Sequence, residues 1–124
     1  MRLAALALLA GLLLGVSACG GGGGGGGGQP SGSIKVTMTE FKFDPASIDA
    51  KAGTLTFFLV NGGTISHNMQ IRDSSGTIVA GSELISAGDS SVFTASHVAA
   101  GTYTYFCSQP GHEQSGMHGT LTVT

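Results

Sequence analysis

The chain contains no tryptophan and only two cysteines, Cys19 and Cys107. Cys19 stands among small residues behind an N-terminal apolar run and is separated from Cys107 by a glycine tract, so no structural disulfide is expected. That excludes sandwich domains built on a cysteine pair packed against a core tryptophan. Charge is scarce as well: Asp, Glu, Lys and Arg make up 10% of the residues. The whole chain has five basic against seven acidic residues, a formal charge of −2; without Arg2 of the N-terminal segment the cations are Lys35, Lys42, Lys51 and Arg72, scattered one by one, and the balance is 4 − 7 = −3. Such a surface has no footprint for nucleic acid and little capacity for long-range steering. The longest apolar run, Leu3 to Leu14, is short of the roughly 20 residues that a membrane-spanning helix needs.

That run has another reading. Met1-Arg2, the Leu/Ala/Gly stretch and Val16-Ser17-Ala18 follow the pattern of a secretory signal, residues 1–18. Val-Ser-Ala-Cys resembles the bacterial lipobox, which implies cleavage before Cys19 and lipidation of its thiol. An ordinary signal would instead leave a free N-terminal cysteine, a liability in an oxidising compartment. An extracytoplasmic, lipid-anchored protein is therefore expected, in the periplasm or on the outer face of the cell membrane. Gly20 to Gly28 and the following Gln-Pro-Ser-Gly-Ser complete a tether, residues 19–33. Glycine has the most backbone freedom to lose and no side chain to bury; as a coil, residues 20–33 span roughly 20 Å. A phosphate-cradling loop is a poor alternative, because no strand precedes the glycines and no Lys-Ser/Thr pair and helix follow.

The remaining residues, 34–124, have the size of one small domain. Ile34 to Met38 alternates apolar and polar residues. Thr54 to Val60 is rich in β-branched and aromatic side chains and ends at Asn61-Gly62-Gly63, a turn signal. Similar runs at 65–72, 77–79, 90–94, 101–107 and 120–124 are separated by Gly-, Asp- and Ser-rich punctuation. Seven or eight short strands at this spacing predict an all-β Greek-key sandwich, with room for a helix only at 80–85. In the run before Cys107, period-two alternation places Tyr103, Tyr105 and Cys107 on one face and Thr102, Thr104 and Phe106 on the other.

Chemistry concentrates just beyond that run, in Cys107-Ser-Gln-Pro-Gly-His112-Glu-Gln-Ser-Gly-Met117, with a thiol, an imidazole and a thioether at five-residue intervals. Two imidazoles and a thiolate in a trigonal plane, with a weak axial thioether, are the ligand set of an electron-transfer copper centre. The second imidazole has a candidate in His67, which opens His-Asn-Met-Gln-Ile. Taken singly, Cys107 could be a buried thiol, His67 a half-buried strand residue and Met117 core filling; their order and spacing favour a joint role. His97, in a connecting segment, and His118, next to Met117, read instead as surface or loop residues.

Residues 34–124 resemble a blue-copper cupredoxin of the plastocyanin/azurin superfamily. The Cys-x4-His-x4-Met spacing is similar to the rusticyanin and auracyanin style of loop. The resemblance implies one type 1 copper held by His67, Cys107, His112 and Met117, and a role for Asn68, the residue after the first histidine, in tying the two ligand loops together. It also implies an electron carrier and not an enzyme, working as a monomer and docking transiently to a c-type cytochrome, a membrane oxidase or a reductase. Electrons would pass through a His112 edge ringed by Pro110, Gly111, Gly116 and Met117. Copper carriage to an extracytoplasmic oxidase is the alternative, weakened by the lack of a Met/His-rich tail. A copper nitrite reductase would need further histidines for a second copper.

Overall fold

The computed structural model describes residues 28–124; the signal segment and Cys19 lie outside them. Nine strands follow in order: β1 (Ile34–Thr39), β2 (Lys42–Asp44), β3 (Ser47–Ala50), β4 (Gly53–Asn61), β5 (Gln70–Arg72), β6 (Ile78–Gly81), β7 (Ser90–Val98), β8 (Gly101–Phe106) and β9 (His118–Val123). They form a four-stranded sheet, β2-β1-β4-β7, and a five-stranded sheet, β3-β9-β8-β5-β6. The parallel pairs β1/β4 and β3/β9 join strands distant in sequence, the crossed connectivity of a Greek-key sandwich. No helix occurs among the described residues, and the 80–85 stretch is the end of β6 and its exit.

The expected architecture holds with one strand more than its upper bound. The two short strands β2 and β3 have no sequence signal, since each carries a single buried apolar residue, Phe43 or Ile48. The expected strand at 65–72 shrinks to β5, because residues 65–69 turn away to form a loop with a single bridge at His67. Ahead of β1, residues 30–33 close a turn, with the Ser33 amide and hydroxyl both donating to the Pro30 carbonyl.

Alternation accounts for the core. In β4, Leu55, Phe57 and Leu59 point inward while their neighbours are partly exposed. They meet Val36 and Met38 of β1 and, from the opposite sheet, Ile71, Tyr105 and Leu121 in one contiguous cluster. Phe57 stacks on Phe93 with centroids 5.4 Å apart, and Phe43 meets the edge of Tyr105 at 5.2 Å. Tyr103, Tyr105 and Cys107 share the buried face, as the alternation predicts. The Tyr103 hydroxyl donates to the Ala99 carbonyl four residues upstream at 2.7 Å, a tyrosine corner. The Tyr105 hydroxyl donates to the Pro45 carbonyl at 2.7 Å, and burial pushes its phenol up to about 12.

Candidate metal centre

Three segments converge at one end of the sandwich: the β8–β9 loop, the β4–β5 loop and the β1–β2 turn. In the first, the Cys107 amide donates to the Met117 carbonyl at 3.2 Å and closes the base of the loop; the Met117 amide donates to the His112 carbonyl at 3.1 Å. Gly111 and Gly116 take φ values of 81° and 112°, positions that favour glycine. The three sequence-predicted donors of this loop are thus locked to one another through the backbone.

His67 lies on a bridge to Ile85, each amide donating to the other's carbonyl. Asn61, 1% exposed, knits this segment: its amide donates to the Ile65 and Ile85 carbonyls and its side-chain oxygen accepts from the Gly63 amide. The Asn68 amide donates to the Ser108 hydroxyl at 2.8 Å, and its oxygen accepts from the Ser108 N–H at 2.9 Å. Asn68 therefore joins the loop that carries His67 to the one that carries Cys107, with Ser108 as a partner that the sequence does not single out.

Around the space these loops enclose, His67 Nδ1 and His112 Nδ1 are 3.2 Å apart, Cys107 Sγ is 3.5 Å from His112 Nδ1, and Cys107 Sγ is 4.0 Å from His67 Nδ1. Metal bonds of roughly 2.0–2.3 Å to nitrogen and sulfur place three donors in a trigonal plane about 3.6 Å apart, and the observed separations bracket that value. His67 and Cys107 are buried and His112 is partly exposed. Met117 is fully buried, and its backbone is bonded to Cys107 and His112. The donor set fits a copper ion in both size and chemistry, because it mixes soft sulfur with imidazole nitrogen.

The β1–β2 turn contributes contacts that the sequence conceals. Glu40 Oε1 lies 3.2 Å from His67 Nε2, and the same oxygen accepts from the Thr64 and Ile65 amides at 2.7 and 3.0 Å. The Thr64 amide, with smaller contributions from the backbone of Glu40 and Ile65 and from His67, holds the Glu40 carboxyl at about 2. Phe41, the next residue, sets its ring edge-to-face on His112 with centroids 4.9 Å apart and is 38% exposed. Phe41 therefore lies at the His112 edge, and Pro110, Gly111 and Gly116 of the same loop are exposed; Met117, expected among them, is 0% exposed because its loop folds back onto Cys107. On the other side, Arg72 pairs with Glu113 and stacks on Phe106 at 4.4 Å, anchoring the β8–β9 loop to β5.

A β-sandwich with a His-Cys-His cluster, two members buried and the third partly exposed, and a nearby methionine in the same loop defines the cupredoxin class. A sequence model of copper-binding proteins of the plastocyanin/azurin family matches residues 30–124, and the chain belongs to that family; its cofactor is one copper ion. A 41-residue segment is 51% identical to auracyanin-B of Chloroflexus aurantiacus, covering 33% of this chain and 17% of that protein. Over 108 residues it is 27% identical to the copper-resistant cuproprotein CopI of Rubrivivax gelatinosus, covering 73% of this chain and 66% of that protein. The chain thus spans less than two thirds of the length of these curated relatives. The crystal structure of dithionite-reduced auracyanin from Roseiflexus castenholzii superposes with a TM-score of 0.67 at 24% identity, over 77% of this chain and 99% of that one.

His97 and His118 are exposed, and neither belongs to the donor cluster found among the described residues. His97 has a φ of 54°, where β7 carries an extra residue against β4. His97→Gly is expected to change stability by less than about 1 kcal/mol and to leave copper binding intact, as thermal melts and copper titration will show. Loss of copper would make His97 a ligand.

Proposed function

We propose that this protein is a type 1 copper electron carrier in which His67, Cys107 and His112 form the trigonal donor set and Met117 supplies the axial thioether. The observation that carries this reading is the separation of 3.2 to 4.0 Å among the three buried or half-buried donors. The bound ion supplies one-electron exchange between Cu(I) and Cu(II). The protein's part is to hold sulfur and nitrogen donors where neither oxidation state is fully satisfied, so that little has to move when an electron arrives. Hydrogen bonds through Asn61, Asn68 and the Cys107–Met117 backbone resist rearrangement of those donors. Burial excludes water and favours the form of lower net charge, Cu(I).

The half-exposed His112 with Phe41 offers a small, weakly charged contact for transient docking. Candidate partners are a c-type cytochrome, a membrane oxidase or a reductase, met by a monomer. The N-terminal sequence supports placement outside the cytoplasm on a lipid anchor at Cys19, with residues 19–33 as the tether. Nothing in this role requires catalysis.

The likeness to CopI favours a second reading, copper carriage or resistance. Voltammetry with a chelator challenge separates the two. An electron carrier cycles reversibly and keeps its copper; a carrier of copper surrenders Cu(I) to a competing thiolate or thioether ligand. Met117→Leu is expected to keep the visible colour and raise the reduction potential, because a weak donor favouring Cu(II) is removed. An unchanged potential would remove Met117 from the axial position.

A further inference from the structure

Glu40 is 27 residues before His67, in a turn between the first two strands, and its contacts are unusually specific for a residue outside the ligand set. One carboxylate oxygen meets His67 Nε2 and accepts the Thr64 and Ile65 amides. Room for it is made by Gly63, where a Cβ would stand 2.5 Å from one Glu40 oxygen and 2.8 Å from the other. Any side chain at residue 63 must displace the carboxylate. The same turn places Phe41 on the second imidazole, so two consecutive residues contact both histidines.

We propose that Glu40 is a positioning residue for the copper site: its carboxylate accepts a hydrogen bond from His67 Nε2–H, fixes the tautomer that leaves Nδ1 free to bind metal, and places a negative charge behind the ligand. The inference rests on the ligand assignment above. A carboxylate behind a metal-bound imidazole orients the ring and raises its basicity. Its charge also favours the more positive oxidation state, so it holds the reduction potential down. Glu40 touches no donor atom of the cluster on its open side; it acts through His67 alone.

The test compares wild type, Glu40→Gln, Glu40→Ala and Gly63→Ala by competitive copper titration, voltammetry and nitrogen NMR of His67 in the metal-free protein. Glu40→Ala is expected to lower copper affinity 10- to 100-fold, the effect typical of losing such a partner, and to raise the potential. Glu40→Gln keeps the shape and an acceptor oxygen without the charge, so it should raise the potential while retaining more affinity than Glu40→Ala. Gly63→Ala, which leaves Glu40 chemically intact, should shift both quantities in the direction of Glu40→Ala. The wild-type His67 should be protonated at Nε2, and the Glu40→Ala ring should show a mixture of tautomers. Wild-type affinity and potential in both Glu40 variants would overturn the inference while leaving the copper assignment standing. A wild-type protein that fails to bind copper would instead remove the ligand assignment and, with it, this role.

Discussion

Cys107→Ser is expected to abolish the visible colour of the copper-loaded protein. The intense absorption of such a centre is charge transfer from thiolate sulfur to Cu(II), and a serine hydroxyl is neither ionised at neutral pH nor a soft donor. Copper affinity should fall by more than the roughly 10- to 100-fold cost of losing an outer partner. The substitution is nearly isosteric at a residue that is 1% exposed, so the fold should persist in the metal-free protein. The loss will then register as the disappearance of copper-induced stabilisation, which for wild type is about 4 kcal/mol when free copper is 1,000 times its dissociation constant. Absorption titration and thermal melts with and without copper check both points. A coloured serine variant would require a different sulfur ligand.

The second large effect lies away from the donors. Gly119 pairs with Tyr105 across β8 and β9, and a Cβ at residue 119 would stand 2.3 Å from Tyr105 Cζ, 2.4 Å from Cε2 and 2.5 Å from the hydroxyl oxygen. The ring cannot yield easily: it is fully buried, wedged against Phe43, and held by its bond to Pro45. Gly119→Ala should therefore destabilise the protein by about 2–4 kcal/mol, combining overpacking with a strained or lost hydrogen bond. Tyr105 is two residues before Cys107 and Gly119 two after Met117, so this contact pins both ends of the ligand loop. In urea denaturation, Tyr105→Leu and Gly119→Ala should combine less than additively, since they share one contact. A Gly119→Ala variant as stable as wild type would mean that the ring has an unforeseen escape.

The sequence discloses whatever is carried by neighbouring residues. Long alternating runs mark β1, β4 and β8, and period two orients Tyr103, Tyr105 and Cys107 correctly because all three belong to one straight strand. The ligand loop is legible because Cys107, His112 and Met117 are close in the chain and chemically unlike their surroundings. Strands β2 and β3 are not, since three or four residues with one apolar member contain no period. Two features of the site depend on long-range folding and escape local reading. Glu40 reaches His67 only because β1 and β4 lie side by side, bringing the β1–β2 turn over the β4–β5 loop. Met117 is buried, not on the rim, because the loop's own backbone bonds draw it back toward Cys107, and a string of turn residues does not announce which way it folds.

Titration of the metal-free protein with Cu(II), followed by visible absorption, bears most directly on the convergence of His67, Cys107, His112 and Met117 on one ion. The expected result is an intense blue or green band that grows linearly, saturates at one copper per chain, and bleaches and returns as the protein is reduced and reoxidised. A protein that remains colourless through the titration would contradict it.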